Sequence, residues 1–115
     1  MLPIQEIEVR TNNKRVFSVH LEKWGDANFQ CKLASIALGP QLPADAVFGP
    51  FATADSAPSA FHALIDGIVL ALSNLDATDS ISEVNNPCNT ELVDASEQRE
   101  ILGTSVRVTV NGADA

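Results

Sequence analysis

The sequence has few cysteines and no long apolar run, the features on which disulfide-rich folds and membrane segments depend. It has only two cysteines, Cys31 and Cys88, which are far apart and belong to no paired motif. Two cysteines cannot supply a disulfide framework, so we expect free thiols in a reducing compartment, with a single disulfide as the alternative. No apolar run is long enough to span a membrane, and the N-terminus lacks the basic and apolar regions of a signal peptide. The expected location is the cytoplasm, without membrane contact.

Signatures of catalysis and ligand binding are also missing. The sequence has no phosphate-binding loop, no calcium loop of the D-x-D-x-D-G type and no G-x-S-x-G elbow. The two histidines, His20 and His62, could form a metal site with Cys31, but a metal needs three or four converging ligands. Cys31 is expected to point into the core and His20 away from it. We therefore expect no metal, no cofactor and no catalytic residues, that is, a protein that is not an enzyme.

One pair of residues keeps an enzymatic alternative open. Asp66 follows His62 by one helical turn, and a His–Asp pair is the minimum of a general-base arrangement. The nucleophile of such a hydrolase-like enzyme would be Ser59, Ser73 or Cys88. An exposed i,i+4 pair that stabilises the helix by a few tenths of a kcal/mol is the far commoner arrangement.

Positive charge is scarce and unevenly placed. The formal net charge is −8, and residues 76–115 carry two basic and eight acidic side chains. Such a field repels phosphate backbones, which argues against nucleic-acid binding. It favours a basic protein partner through faster encounter, although acidity also simply keeps small proteins soluble.

Alternating side chains predict an antiparallel meander in the first half of the chain. The segments with this pattern are residues 4–10, 15–22 and 29–38. Residues 11–14 are expected to turn the chain, and a bulge or a covered end is expected near residues 34–38, where both faces become apolar. Residues 46–52 are expected to form a fourth strand at an edge, because they contain Gly-Pro.

Residues 59–75 predict one amphipathic helix. Apolar side chains recur there at spacings of three and four on one face, namely Phe61, Leu64, Ile65, Ile68, Leu72 and Leu75. Either Ser56 or Ser59 is expected to cap the helix, with Pro58 beside the cap. Gly67 interrupts the helix, and we interpret it as a site of close packing against a strand. Val69 and Leu70 lie off the core face, where they would meet solvent, the C-terminal segment or a second subunit.

The last forty residues have a different character. Residues 76–89 are polar and acidic and predict an exposed loop, residues 90–102 a short helix, and residues 104–110 a strand at the sheet edge. The end of the chain is expected to be a frayed tail. The expected fold is a single α+β domain over residues 1–115, with an acidic, loop-rich part from about residue 76. Its antiparallel sheet has about four to five strands, with one long helix across one face.

The order of these pieces resembles that of a group of short uncharacterised bacterial proteins. In that group a three-strand meander with an aromatic-x-Cys strand leads to a helix that opens Asp-x-hydrophobic-Gln-Ala-Leu. Phe29, Gln30 and Cys31 occupy the first motif, and residues 59–64 occupy the second. Ser59 stands for Asp and His62 for Gln, and the likeness covers residues 4–75. The resemblance implies the fold and carries no activity.

Together these observations predict a small, acidic, non-enzymatic protein-binding module. An inhibitor such as an immunity or anti-defence protein that neutralises a basic target is its most concrete form. Trp24, the only tryptophan, is either a cover for the open end of the sheet or an interface anchor. Asp94, Glu97 and Glu100 are the expected acidic contacts. A structural homo-oligomer built through Val69, Leu70 or an open strand edge is the alternative.

Overall fold

A computed structural model describes residues 4–37, 51–87 and 92–114 of the chain. These residues form a mixed seven-stranded sheet with two helices on one face. The strands are β1 Ile4–Thr11, β2 Val16–Gly25, β3 Asn28–Ala37, β4 Phe51–Ala54, β5 Ile81–Asn86, β6 Arg107–Val110 and β7 Ala113–Asp114. The helices are α1 Ala57–Leu75 and α2 Ala95–Leu102. The order across the sheet is β4-β3-β2-β1-β5-β6-β7.

The predicted meander is confirmed. β1, β2 and β3 pair in antiparallel fashion, and the β1–β2 turn places Lys14 at a φ of 66°. The predicted bulge is present as well, because Ser18 pairs with Ser35 while Val19 pairs with Leu33, which leaves one extra residue in β3. β4 lies at the edge beside β3. Residues 46–50 of the expected fourth strand lie outside the described residues.

The predicted long helix is also confirmed, and it packs on the sheet through its apolar face. Ser56 is the N-cap: its hydroxyl accepts from the Ser59 backbone N–H, with Pro58 in the first turn. Phe61 and Ile68 are fully buried and join the core side chains of β1 and β2. Gly67 is exposed, and a Cβ there would meet nothing within 4 Å. The expectation that Gly67 packs closely against a strand is therefore wrong.

The second half of the chain differs most from expectation. Residues 81–86, predicted to lie in an exposed loop, form β5, which pairs with β1 in the interior of the sheet. β6 pairs with β5 in parallel, so the sheet is mixed and larger than expected. A parallel neighbour needs a crossover connection, and α2 supplies it, confirming a helix within residues 90–102. Residues 113–114, expected to be frayed, form β7 after a turn with positive φ at Asn111 and Gly112.

A cluster of three buried amides joins these later elements to β1. Gln5, Asn86 and Gln98 are at most 1% exposed. The Gln5 amide nitrogen donates to Asn86 Oδ1 at 3.0 Å, and the Gln98 amide nitrogen donates to the same oxygen at 2.8 Å. Asn86 in turn donates to Gln98 Oε1 at 2.9 Å. Each buried amide is paired, as burial of polar groups requires.

Candidate protein-binding surface

The outer side of the helical layer carries two exposed apolar side chains. Val69 is 52% and Leu70 is 64% exposed, and they are the exposed large apolar residues of the two described helices. Leu70 lies on α1 opposite the buried stripe that contains Ile65 and Ile68, and Val69 lies at the edge of that stripe, because successive helical residues are rotated by about 100°. We call these two residues and the neighbouring groove the helix-side patch.

The groove in the helix-side patch lies between the end of α1 and the start of β5. It has a volume of about 180 Å³, and its lining is mainly apolar. Its walls are formed by Val69, Leu72, Ser73, Ala77, Asp79, Ser80 and Ile81. Leu72 is 2% exposed and forms part of the core, so one wall of the groove is rigidly held.

A buried ion pair fixes the loop that closes this groove. The Asp79 side chain is fully buried, and its carboxylate accepts from the Arg15 guanidinium at 2.6 Å and from the Thr11 hydroxyl at 2.7 Å. The backbone N–H groups of Asn13 and Ser80 donate to its other oxygen at 3.0 and 2.9 Å. Burial raises the pKa of Asp79, but these hydrogen bonds outweigh burial and hold the pKa below its usual value. The β1–β2 turn is thereby joined to residues 76–80.

Asp76 completes this connection at the end of α1. It is the C-cap residue, and its carboxylate binds the Thr78 hydroxyl at 2.6 Å and the Arg15 guanidinium at 3.1 Å. The hydrogen bonds from Thr78, followed by that from Arg15, lower the pKa of Asp76 to about 2. Two carboxylates therefore stay ionised around one guanidinium at neutral pH.

The helical layer is also the acidic side of the molecule. No lysine or arginine occurs in the sequence between Lys32 and Arg99. The exposed or half-buried charged groups on the two helices are Asp66, Asp94, Glu97, Arg99 and Glu100. On the opposite face of the sheet, by contrast, acids and bases pair: Arg10 with Glu8 at 2.8 Å and Lys32 with Glu22 at 3.0 Å.

The three acidic residues predicted as contacts all lie on or beside α2, and two of them also hold its first turn. Asp94 is the N-cap, and its carboxylate accepts from the Glu97 backbone N–H at 2.8 Å. The Glu97 carboxylate accepts from the Asp94 backbone N–H at 3.1 Å, which completes a capping box. Glu100 is exposed on the last turn. Asp94, Glu97 and Glu100 stay predictions as binding residues.

Trp24 lies away from the helical layer. It is the last residue but one of β2, lies on the helix-free face, is 50% exposed, and donates from its indole N–H to Glu22 at 3.1 Å. Ile4, which pairs with Glu22 across the strands, is 41% exposed beside it. The segment that leads into α2 reaches the same end of the sheet, because the backbone N–H groups of Leu92 and Val93 donate to Gln5 there. Asp94, the next residue, therefore lies at the same end as Trp24 but on the helical face.

The histidines and Cys31 lie in three separate places. His20 is on the helix-free face, with its Nε2 3.9 Å from Glu6, and His62 is on the outer side of α1, with its Nε2 3.6 Å from Asp66. Cys31 is a free thiol in the core, and burial raises its pKa to about 12, which keeps it protonated and unreactive. Among the described residues, no three His, Cys, Asp or Glu side chains are grouped to hold a metal.

A shallow depression marks the helix-free face. It has a volume of about 260 Å³ and is lined by Glu6, Ile7, Glu8, Ser18, Val19, His20 and Pro87. His62 and Asp66 line neither this depression nor the groove. Both members of the pair are more than half exposed, at 55% and 72%.

Sequence reasoning identified Val69 and Leu70 but missed the groove. Ile81 and Asp79 lie in the segment predicted to be an exposed loop. β5 has only two apolar residues, Ile81 and Val84, and their spacing of three does not match the two-residue period of a strand, so the sequence carries no clear signal for the groove.

Comparison with known proteins returns nothing: no family model, curated protein or solved structure matches the chain. The resemblance to short bacterial proteins therefore stays a prediction. In the part of the chain that the structure describes, no helix has both the length and the apolar character needed to cross a membrane.

Proposed function

We propose that the protein is a non-enzymatic binding module that captures a basic protein partner through the outer side of its helical layer. The observation that carries the proposal is the combination, on this one side, of exposed Val69 and Leu70 with carboxylates that outnumber Arg99, the one lysine or arginine on the two described helices. An inhibitor of the immunity or anti-defence kind, acting on a basic target, is the form we favour. The proposal places it in the cytoplasm, where the Cys31 thiol would stay reduced.

The physical basis is charge complementarity around an apolar centre. Carboxylates on a low-dielectric surface attract a basic protein over about a Debye length and raise the association rate. The apolar side chains then supply the contact that slows dissociation, because buried apolar area rather than rim charge sets most of the affinity. Binding of this kind is expected to weaken as salt is added.

Charge reversal on the helices tests the proposal. Asp66→Lys and Glu100→Lys change exposed residues and leave the capping box of Asp94 and Glu97 intact. Glu6→Lys, on the helix-free face, is the matched control. Partners captured from the native host at low salt would be identified by mass spectrometry, purified, and titrated against each variant.

We expect a basic partner whose affinity falls about tenfold or more in the helix variants, since each 1.4 kcal/mol of lost interaction is a factor of ten. The affinity of the Glu6→Lys variant should change by a smaller factor. The proposal would be ruled out if capture of the partner did not depend on salt and was unchanged by both helix substitutions.

A homo-oligomer is the second candidate, because Val69 and Leu70 would also suit a second copy of this chain. Each copy carries a formal charge of −8, which opposes this arrangement. Sedimentation equilibrium at high protein concentration decides between the two: a monomer at high salt, where repulsion is screened, excludes the oligomer.

A further inference from the structure

We infer that the groove beside Leu70 seats an apolar side chain from an amphipathic basic helix, so that the partner is recognised through a helix of this kind. This inference rests on the proposed function and specifies the chemistry of the partner's contacting element. The helix-side patch supplies the apolar contact, and the charges around it select the flanking residues of the partner.

Leu70 lies beside the groove without lining it, and Val69 connects the two. Val69 lines the groove and is adjacent in sequence to Leu70, while Leu72 and Ile81 form apolar parts of the other walls. The 180 Å³ space is open to solvent, and Leu70, next to Val69 in the chain, is 64% exposed. A protruding aliphatic or aromatic side chain can enter this space, and residues one turn away on the same partner helix can cover Leu70.

The position of the groove selects a helix rather than a strand. β5, which follows the groove, pairs with β1 within residues 81–85 and with β6 over residues 83–86. A bound strand would find at most the first two residues of β5 free to share backbone hydrogen bonds. A helix satisfies its backbone groups internally, so it can rest on an apolar seat that offers no backbone partners.

The charges around the groove select a basic helix. Asp66 lies one turn before Leu70 and is 72% exposed, and Asp76 stands at the end of α1 with its side chain 25% exposed. No lysine or arginine occurs on α1 or in residues 76–80. His62 neighbours Asp66 at 3.6 Å. The neighbouring cations are Lys14 and Arg15 of the β1–β2 turn. The Arg15 guanidinium is already bound by Asp76 and Asp79. A lysine flanking an apolar stripe would meet Asp66, the exposed carboxylate here that Arg15 does not bind.

The same charges disfavour the other occupants. A second copy of this chain would bring its own Asp66 and no cation from the same helix. An anionic membrane surface would be repelled by the carboxylates.

Two synthetic peptides of identical leucine and lysine content test the inference. In one, the leucines recur at i, i+3, i+4 and i+7; in the other, the same residues are scrambled so that no helical face is apolar. Binding of each labelled peptide to the full chain would be followed by fluorescence anisotropy at low and moderate salt. The protein variants are Leu70→Ser and Val69→Thr, with Ala63→Ser, an exposed change earlier on the same helix, as the matched control.

We expect the periodic peptide to bind about tenfold or more tightly than the scrambled peptide. Leu70→Ser and Val69→Thr should remove most of this preference, while Ala63→Ser should keep it. Circular dichroism would verify that each variant is folded. Equal, salt-sensitive binding of both peptides would overturn the helix inference and leave the proposed function standing. Binding of neither peptide at low salt would refute both.

Two further outcomes also overturn the inference alone. The first is a preference for the periodic peptide that both patch variants retain, because the seat would then lie elsewhere. The second is sedimentation of the unliganded protein as a dimer that Leu70→Ser dissociates, because a second copy would then occupy the patch.

Discussion

Replacing Arg15 by methionine should destabilise the protein far more than removing any exposed charge. The Arg15 side chain is 9% exposed, and its guanidinium contacts the fully buried carboxylate of Asp79 at 2.6 Å. Methionine replaces the aliphatic stem of arginine but carries no guanidinium and no charge. Asp79 would then retain its hydrogen bonds from Thr11, Asn13 and Ser80, yet it would lose Arg15, the one cation paired with it in the described part of the chain.

The expected loss follows from burial. Removing one partner of a buried ion pair leaves an uncompensated charge and costs about 3–5 kcal/mol. The three hydrogen bonds that remain on Asp79 place Arg15→Met near the lower end, at about 3 kcal/mol. Arg10→Met is the matched control: its pair with Glu8 has side chains that are 46% and 31% exposed, and such pairs contribute about 0–1 kcal/mol.

The same pair makes stability depend on pH in a defined direction. The pKa values of Asp76 and Asp79 are lowered in the folded state, that of Asp76 to about 2. A lowered pKa in the folded state gives stability that is present above the unfolded pKa, about 3.9 for aspartate, and lost as pH falls through the folded value. Between about pH 5 and pH 2 the wild-type protein should therefore lose stability, and Arg15→Met should lose less over this range.

Urea unfolding followed by far-ultraviolet circular dichroism measures both effects. Free energies of unfolding would be compared at pH 7, and the series repeated at pH 3. If Arg15→Met and Arg10→Met have the same stability at pH 7 within about 1 kcal/mol, the assignment of Arg15 and Asp79 as the connection that fixes the groove is refuted.

Three other substitutions test separate parts of the fold. Gly67→Ala should stabilise the protein by about 0.5–1 kcal/mol in thermal unfolding, because alanine favours a helix and its Cβ meets open space. A loss of stability would show that Gly67 is packed after all. Asn86→Leu should cost about 2 kcal/mol or more, because Gln5 and Gln98 would lose their shared acceptor; an unchanged urea midpoint would contradict this. Asp94→Ala should cost about 1 kcal/mol through loss of the α2 cap, while Asp94→Asn should restore most of it.

The sequence predicted the meander and α1 because each has a local periodicity. Apolar residues alternate along β1 and β2 and recur every three or four residues along α1. In each case the apolar residues mark the buried face directly. The exposure of Leu70 was predictable for the same reason, whereas the choice of Ser56 over Ser59 as the cap was left open by the sequence and decided by the structure.

β5 and the crossover were not predictable in this way. Asn86 is a polar residue that is nevertheless buried, and its amide is satisfied by Gln5, Gln98 and the Thr109 carbonyl, none of them a close neighbour in the chain. Asp79 is likewise acidic and buried, and its position is tolerated because Arg15 and three hydrogen bonds compensate its charge. A prediction that assumes polar residues are exposed therefore gives a loop at residues 81–86, where the structure has the interior strand β5.

The candidate site also has some features that the sequence determined and others that only the tertiary structure decided. The sequence by itself determined that α1 would have an apolar inner face, that Val69 and Leu70 would fall outside it, and that acidic residues would dominate the later part of the chain. These are properties of spacing and composition. Only the tertiary structure decided that β5 would lie between β1 and β6, that Ile81 would form a groove beside Val69, and that acidic α2 would share a face with α1. Those outcomes depend on contacts between residues distant in the chain, which no local pattern records.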